Sequence, residues 1–324
     1  MADTTISVEQ IIDDFGAYYQ NQGQGAANLH MLPYESMDTQ NAFTTVPTED
    51  TILDEANVEV QEIVQQYQDD FTPSGGVEFE PVRIPLFKMK IDAEFNPHKL
   101  QRSWLGFLAN NNTDVTTWPF IRWFIEMYLM KQSKEDLEMK AFYKGVYAAP
   151  TSGTAGDPSK VMDGVEKLLN DYIAAGALAP IVLGNINTLT DVQFVEKVEL
   201  FVRSIPERYR YMVMDLNMNR SLREKYRRGV RAKYNMNYKQ GDVSYDKVVD
   251  YDNITIAGRP SMASKTRIWC TPKPNALFGV KGFGNIDNFE IEKEKRKIAI
   301  YTEWHAGLGF IQPKMIFTSD GEVA

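Results

Sequence analysis

Residues 117–145, TWPFIRWFIEMYLMKQSKEDLEMKAFYKG, constrain the fold more than any other stretch of the chain. Thr116 or Thr117 supplies a cap, and Pro119 suits a first helical turn, where a missing N–H costs nothing. Ile121, Phe124, Ile125, Tyr128 and Leu129 recur at helical spacing, and the stripe resumes at Leu137, Ala141 and Phe142. Lys131, Lys134, Glu135, Asp136, Glu138 and Lys140 make the other side polar and predict a solvated face. Gly145 is the expected left-handed stop. At about 1.5 Å per residue such a helix is roughly 40 Å long, as long as a small domain is wide.

Charge is distributed very unevenly around this strut. Of the 44 acidic residues, sixteen fall within positions 1–82, where there is no lysine or arginine; the remaining 28 face all 35 bases. An acidic segment ahead of a basic body predicts attraction between the two, within one chain or between neighbours. The sole cysteine, Cys270, excludes an intrachain disulfide and reads as a small buried hydrophobe in a strand. No apolar run approaches a membrane span and no charged, then apolar, leader opens the chain, so the expectation is an intracellular product with no membrane partner.

The acidic segment does not read as a compact domain. Ser7 and Gln10 form a capping box ahead of Val8, Ile11, Ile12, Phe15 and Tyr18, one amphipathic helix. A polar stretch follows, and Thr51 then opens a second expected helix with Ile52, Ala56, Val60, Ile63, Val64 and Tyr67 on its apolar side. Isolated amphipathic helices cannot bury their stripes alone, so residues 1–70 are expected to be an arm that needs foreign surface. Beyond Gly75-Gly76 the period changes to two through Val77, Phe79, Ile84, Leu86, Ile91, Ala93 and Phe95, with Pro81 and Pro85 arguing against a central strand. Residues 71–102 are therefore expected to be a protruding two-stranded hairpin, followed by a short helix near Trp104 and Leu108.

Past Gly145 the chain alternates helix and strand. Helices are expected from Asp157-Pro158 to Gly176, from Thr190 to Arg203 and from Asn219 to Arg228, with short strands at 181–183 and 211–214. From Lys247 onward it turns mostly to strands, with Gly258, Gly279, Gly282 and Gly284 among the breaks. The fold class is α+β.

Catalytic signatures are missing. His30, His98 and His305 lie at no metal-ligand spacing, and neither a Gly-x-Ser-x-Gly elbow nor a Gly-x-Gly-x-x-Gly loop is present. No catalytic residue, cofactor or metal is expected. Glu303 and His305 are explained by alternate positions on a strand. The densest basic stretch, which includes Arg203, Arg208, Arg210, Arg223, Arg227, Arg228 and Lys233 with interleaved tyrosines, reads first as a pairing surface within or between subunits, and second as a nucleic-acid surface.

This order of parts (acidic arm, β-hairpin, long helix, α/β layer, β-rich end) resembles the major capsid proteins of tailed bacteriophages, the Hong Kong 97 fold. Local support comes from Asp136-Leu137-Glu138-Met139-Lys140-Ala141-Phe142-Tyr143-Lys144-Gly145, similar to the end of that family's spine helix. Tyr211-Met212-Val213-Met214-Asp215 with Asn219-Arg220-Ser221-Leu222-Arg223, and Ile254-Thr255-Ile256-Ala257-Gly258-Arg259-Pro260-Ser261, resemble its later segments. The resemblance implies an arm at 1–70, an extended loop at 71–102, spine and peripheral domain at 103–150, an axial domain at 151–244 and a β-rich return at 245–324. It further implies hexamers and pentamers of an icosahedral head around double-stranded DNA bound without sequence preference. A separate scaffolding protein and a portal would take part, with assembly in the host cytoplasm and residence in the virion capsid. Inter-subunit contacts are expected at Ile11, Phe15, Ile63, Tyr67, Arg83, Lys88, Lys90, Arg223, Arg227 and Arg228. Lys88, Lys90 and Lys99 raise covalent crosslinking between subunits, which few members of that family perform and which is not expected here. The rivals are an encapsulin-like compartment shell, an α/β enzyme with a pocket near His305 or Glu303, and a DNA-binding accessory protein.

Overall fold

The computed structural model describes residues 36–60, 62–96, Trp104, Leu108, 119–234, 246–281, 289–294 and 297–322. The expected first arm helix, with Ile11 and Phe15, lies outside the described residues, as does Lys99. Among the described residues no helix is long and apolar enough to cross a membrane.

The described residues form three sheets. The first is built on one long strand, β11 (Lys297–Phe310). β9 (Ala276–Lys281) and β10 (Glu290–Glu294) lie end to end along one side of β11, and β4 (Phe87–Phe95) lies along the other. β1 (Thr44–Thr48) extends the sheet in parallel beyond β9. The alternation along β11 is strict over its first half: Ile298, Ile300, Thr302 and Trp304 are buried, whereas Lys297 and Glu303 are open.

The long helix packs on the buried face and runs from 120 to 141. Its 22 residues span roughly 33 Å. It is not uniform: Ile125–Leu129 and Leu137–Ala141 are wide π-turns, the second closed by the Phe142 N–H donating to Leu137 O at 2.9 Å. Phe120, Ile121, Trp123 and Ile125 join Ile298 and Ile300 in one cluster, while Ala141 and Phe142 join Phe278, Trp304 and Leu308 in another. Gly145 ends this region for a reason other than the expected left-handed turn. Its φ is not positive; a Cβ there would stand 2.5 Å from the carbonyl oxygens of Ala141 and Met162. The chain returns through Gly164, equally tight against Ala141 O, into α2 (Val165–Ala174), which Gly176 stops at φ +71. The expected start of this helix at Pro158 is instead a separate short turn, Pro158–Lys160.

The second sheet has the order β12-β8-β5-β7-β6, with β12 at Phe317–Thr318 and β6 at Lys247–Val248 on its edges. Its centre is β5 (Met214–Asn219), paired in parallel with β7 (Tyr251–Arg259) and antiparallel with β8 (Trp269–Pro272). The expected strand at 211–214 thus begins three residues later, and Tyr211 and Val213 are exposed. Two helices cover the sheet, α3 (Asp191–Ser204), which opens on a Thr190–Gln193 capping box, and α4 (Arg220–Tyr234). Gly229, expected to end the second of these, lies inside it where a Cβ would be 2.1 Å from Asp191 O; the glycine permits the two helices to touch. The buried faces of both helices meet Leu216, Met218, Ile254, Ile256 and Cys270. The expected divisions at 150/151 and 244/245 cut across these layers, since α2 packs on the first sheet and β6, β7 and β8 belong to the second.

The third sheet is a two-stranded ribbon, and here the sequence expectation requires correction. Residues 52–60 are not a helix but β2 (Ile52–Val60), which pairs antiparallel with β3 (Val77–Pro85) along its whole length. The ribbon is therefore 52–60 with 77–85, not a hairpin within 71–102; β4 joins the first sheet instead. Pro81 and Pro85 fit this arrangement, since β3 pairs only with β2. Gly279 is likewise no break: it pairs with Gly307 in the first sheet, under Leu86.

Candidate assembly surface

The ribbon is fixed at its base and bare at its tip. At the base, Leu53 and Ile84 are buried with Leu277, and partly buried Val46, Val82 and Ile311 surround them. Gly279, Gly307 and Gly309 make room: a Cβ at Gly309 would be 2.4 Å from Ile84 Cγ1, and one at Gly307 2.2 Å from Pro85 O. At the far end, the connection between the strands exposes Ile63 (60%), Val64 (92%), Tyr67 (92%) and Phe71 (96%), with Phe79 open beside them (67%). Burying the first four at about 1.5 kcal/mol each would release on the order of 6 kcal/mol before ordering costs. Four large apolar side chains left open on one connection make it the candidate contact surface among the described residues.

The expected contact residues divide by location. Ile63 and Tyr67 stand on this bare tip, where the Tyr67 hydroxyl donates to Asp69 Oδ1 at 2.8 Å. Arg83 lies on β3 and meets Asp54 of β2 at 3.5 Å, so one acid of the front segment already faces a base across its own ribbon. Lys88 pairs with Glu303, and Lys90 with Asp92, along the open face of the first sheet. Beside them His305 is flanked in register by Lys88 and Lys281. Partial burial and these two ammonium groups, against Glu303, depress its pKa. Glu303 and His305 thus sit on a sheet face among lysines.

The basic helix α4 is tied down within the chain. Arg223 and Arg227 both donate to Asp246 Oδ1, the former at 2.7 Å from Nη2, and Arg228 Nε donates to Asp191 Oδ2 at 3.0 Å. Burial works against the charge on Asp246, but the two guanidinium groups outweigh it and hold its carboxyl below the usual range. Lys233 and Tyr234 both donate to buried Glu199. The basic stretch therefore spends much of its charge on intrachain pairs.

One buried polar cluster departs from the sequence expectation. Glu138, expected on a solvated helix face, is 0% exposed. It stands three and four residues before the buried Ala141 and Phe142, within the wide turn 137–141, and so lies on their side of the helix. The carboxylate accepts from Thr39 N at 3.1 Å, from Thr39 Oγ1 at 2.6 Å and from Ser261 N at 3.3 Å. Next to it, Arg259 donates to Asp38 O at 2.7 Å, Asn217 Oδ1 at 2.7 Å and Asp215 Oδ2 at 3.0 Å, and Arg220 reaches Asp38 Oδ2 at 3.0 Å. The only signal for this node in the sequence is a lone acid beside a helical apolar stripe, which does not distinguish it from a surface residue.

Among the described residues no group of three or more His, Cys, Asp or Glu side chains is placed to hold a metal ion.

No protein-family description matches the sequence, and no curated protein does. Solved structures match along nearly the full chain. One is the capsid of an empty GTA particle, at a TM-score of 0.57 and 13% identity, covering 94% of this chain and 96% of that one. A chain of the satellite phage P4 procapsid gives 0.55 at 13% identity and 97% coverage of each. The capsid of Myoviridae phage XM1 gives 0.52 at 11% identity, with 98% and 99% covered. The fold is α+β and is that of tailed-phage capsid proteins, the Hong Kong 97 architecture.

Proposed function

We propose that this chain, carrying a capsid fold, is a major capsid protein that builds hexamers and pentamers of an icosahedral phage head around double-stranded DNA. The observation that carries the reading is the ribbon: it is anchored by a glycine-lined seat and ends in four exposed apolar side chains. A monomer gains nothing from such a tip, whereas a neighbouring subunit would bury it. The acid-only front of the chain supports the same reading, because the described part of it meets bases at Asp38–Arg220 and Asp54–Arg83, leaving other acids for surfaces on sister copies. In this reading the role is mechanical and non-catalytic, DNA is enclosed without sequence preference, and Ile63, Tyr67, Arg83, Lys88 and Lys90 lie at or near subunit contacts. A scaffolding protein and a portal would guide assembly in the host cytoplasm.

The test is expression of the full chain with its scaffolding partner, followed by size-exclusion chromatography and electron microscopy. Closed shells of megadalton size are expected, and shells purified from infected cells should hold DNA. Copurified cargo enzyme in place of DNA would point to a compartment shell instead. A monomer under all conditions would refute the proposal.

A further inference from the structure

We infer that Glu138 fastens a clasp in which residues 38–43 lock the first layer to the second, so that docking or release of this short segment sets how the two layers are held. The inference concerns the folded chain and stands apart from the shell reading.

Two independent sets of contacts place the segment across the seam. The first is polar. Glu138 belongs to the long helix of the first layer, Ser261 lies in the turn Pro260–Met262 just after β7 of the second, and Thr39 bonds to both: its N–H and hydroxyl to the Glu138 carboxylate, its Oγ1 to Ser261 Oγ at 2.6 Å. One residue earlier, Asp38 is held through its carbonyl by Arg259 and through its carboxylate by Arg220, both from the second layer. The second set is apolar. The Phe43 ring lies 6.1 Å from Trp269 of β8 and 6.0 Å from Phe310 of β11, one strand from each sheet. A six-residue segment thus contacts both layers at each of its ends.

The polar half is the one that depends on charge. A buried carboxylate that loses its donors is costly, so the Thr39 bonds form or break together with segment docking. Desolvation raises the Glu138 pKa despite the bonds from Thr39 and Ser261, and nearby Asp38 pushes it the same way. The phenylalanine wedge has no such dependence. The clasp therefore has one part that can open while the other remains.

The experiment uses the full chain carrying spin labels at Lys134→Cys on the long helix and Glu224→Cys on α4, with Cys270 left buried. Glu138→Ala is expected to raise amide exchange of residues 38–43 by about tenfold, equal to ~1.4 kcal/mol, and to broaden the label-to-label distance distribution. Exchange within α3 should stay unchanged. If Glu138→Ala does not fold, Thr39→Val removes the hydroxyl bonds alone and should give the same pattern in weaker form. Faster exchange at 38–43 with an unaltered distance distribution would overturn the clasp, as would a uniform rise across the whole chain or no change at either readout.

Discussion

At the scale of single residues, the chain buries charge where its two sheet layers meet. Glu138 titrates beside Asp38 of the front segment and Arg259 of β7, which are themselves paired with Arg220 and Asp215. Burial, against the donors of Thr39 and Ser261, raises its folded pKa above the hydrated value, so enclosing it in the fold takes up a proton. The linked stability is fully present below the ordinary glutamate range and is lost as pH rises through the raised value. Amide exchange at 38–43 should therefore speed up between mildly acid and neutral pH beyond its intrinsic trend, and Glu138→Gln should flatten that dependence. Asp246 behaves in the opposite sense. Its depressed pKa makes its contribution present above the ordinary carboxylate range and lost as pH falls through the folded value. The site is about a third open, so Asp246→Asn should cost only about 1 kcal/mol in denaturant unfolding after solvent screening.

At the scale of elements, the helices with explicit local signals were legible. The helix expected from Thr190 to Arg203 appears at Asp191–Ser204, opened by a Thr190–Gln193 capping box that the sequence reading did not name, and Gly176 ends its helix in the left-handed region. The strand β2 was not legible, because Ile52, Ala56, Val60, Ile63 and Val64 fit a helical stripe as well as a strand. The choice is made by pairing with residues 77–85, seventeen or more positions away in sequence at the closest pair, which no local pattern encodes. Glu138 is buried for a different reason: its spacing to Ala141 and Phe142 puts it on the inward side, and the donors that satisfy it there come from Thr39 and Ser261, far away in sequence. Arg223, Arg227 and Arg228 were expected at contacts between subunits; within the chain they pair with Asp246 and Asp191, which come from separate elements and leave no local trace in the sequence. The glycine seat gives a direct check on ribbon anchoring. Gly309→Val would place atoms where Ile84 now lies and should cost 1–3 kcal/mol, roughly the penalty for overpacking, with increased proteolysis within 52–85 while α3 and α4 remain protected.

At the scale of the whole molecule, stability and assembly draw on different surfaces. The two large clusters close within the chain, whereas the ribbon tip does not. Replacing Ile63, Val64, Tyr67 and Phe71 together by serine should leave thermal unfolding of the isolated chain within a degree or two, on the order of the ±0.5 kcal/mol typical of surface changes. The same variant should fail to form closed shells by electron microscopy; normal shells from it would remove the tip from the assembly mechanism.

The two π-turns of the long helix each hold one residue more than the α-turn they replace. The surplus is stored at two defined points, so loss of a single amino acid from 125–129 should let that turn relax to α, whereas the same loss from 137–141 should move Glu138 relative to Thr39 and speed amide exchange at 38–43.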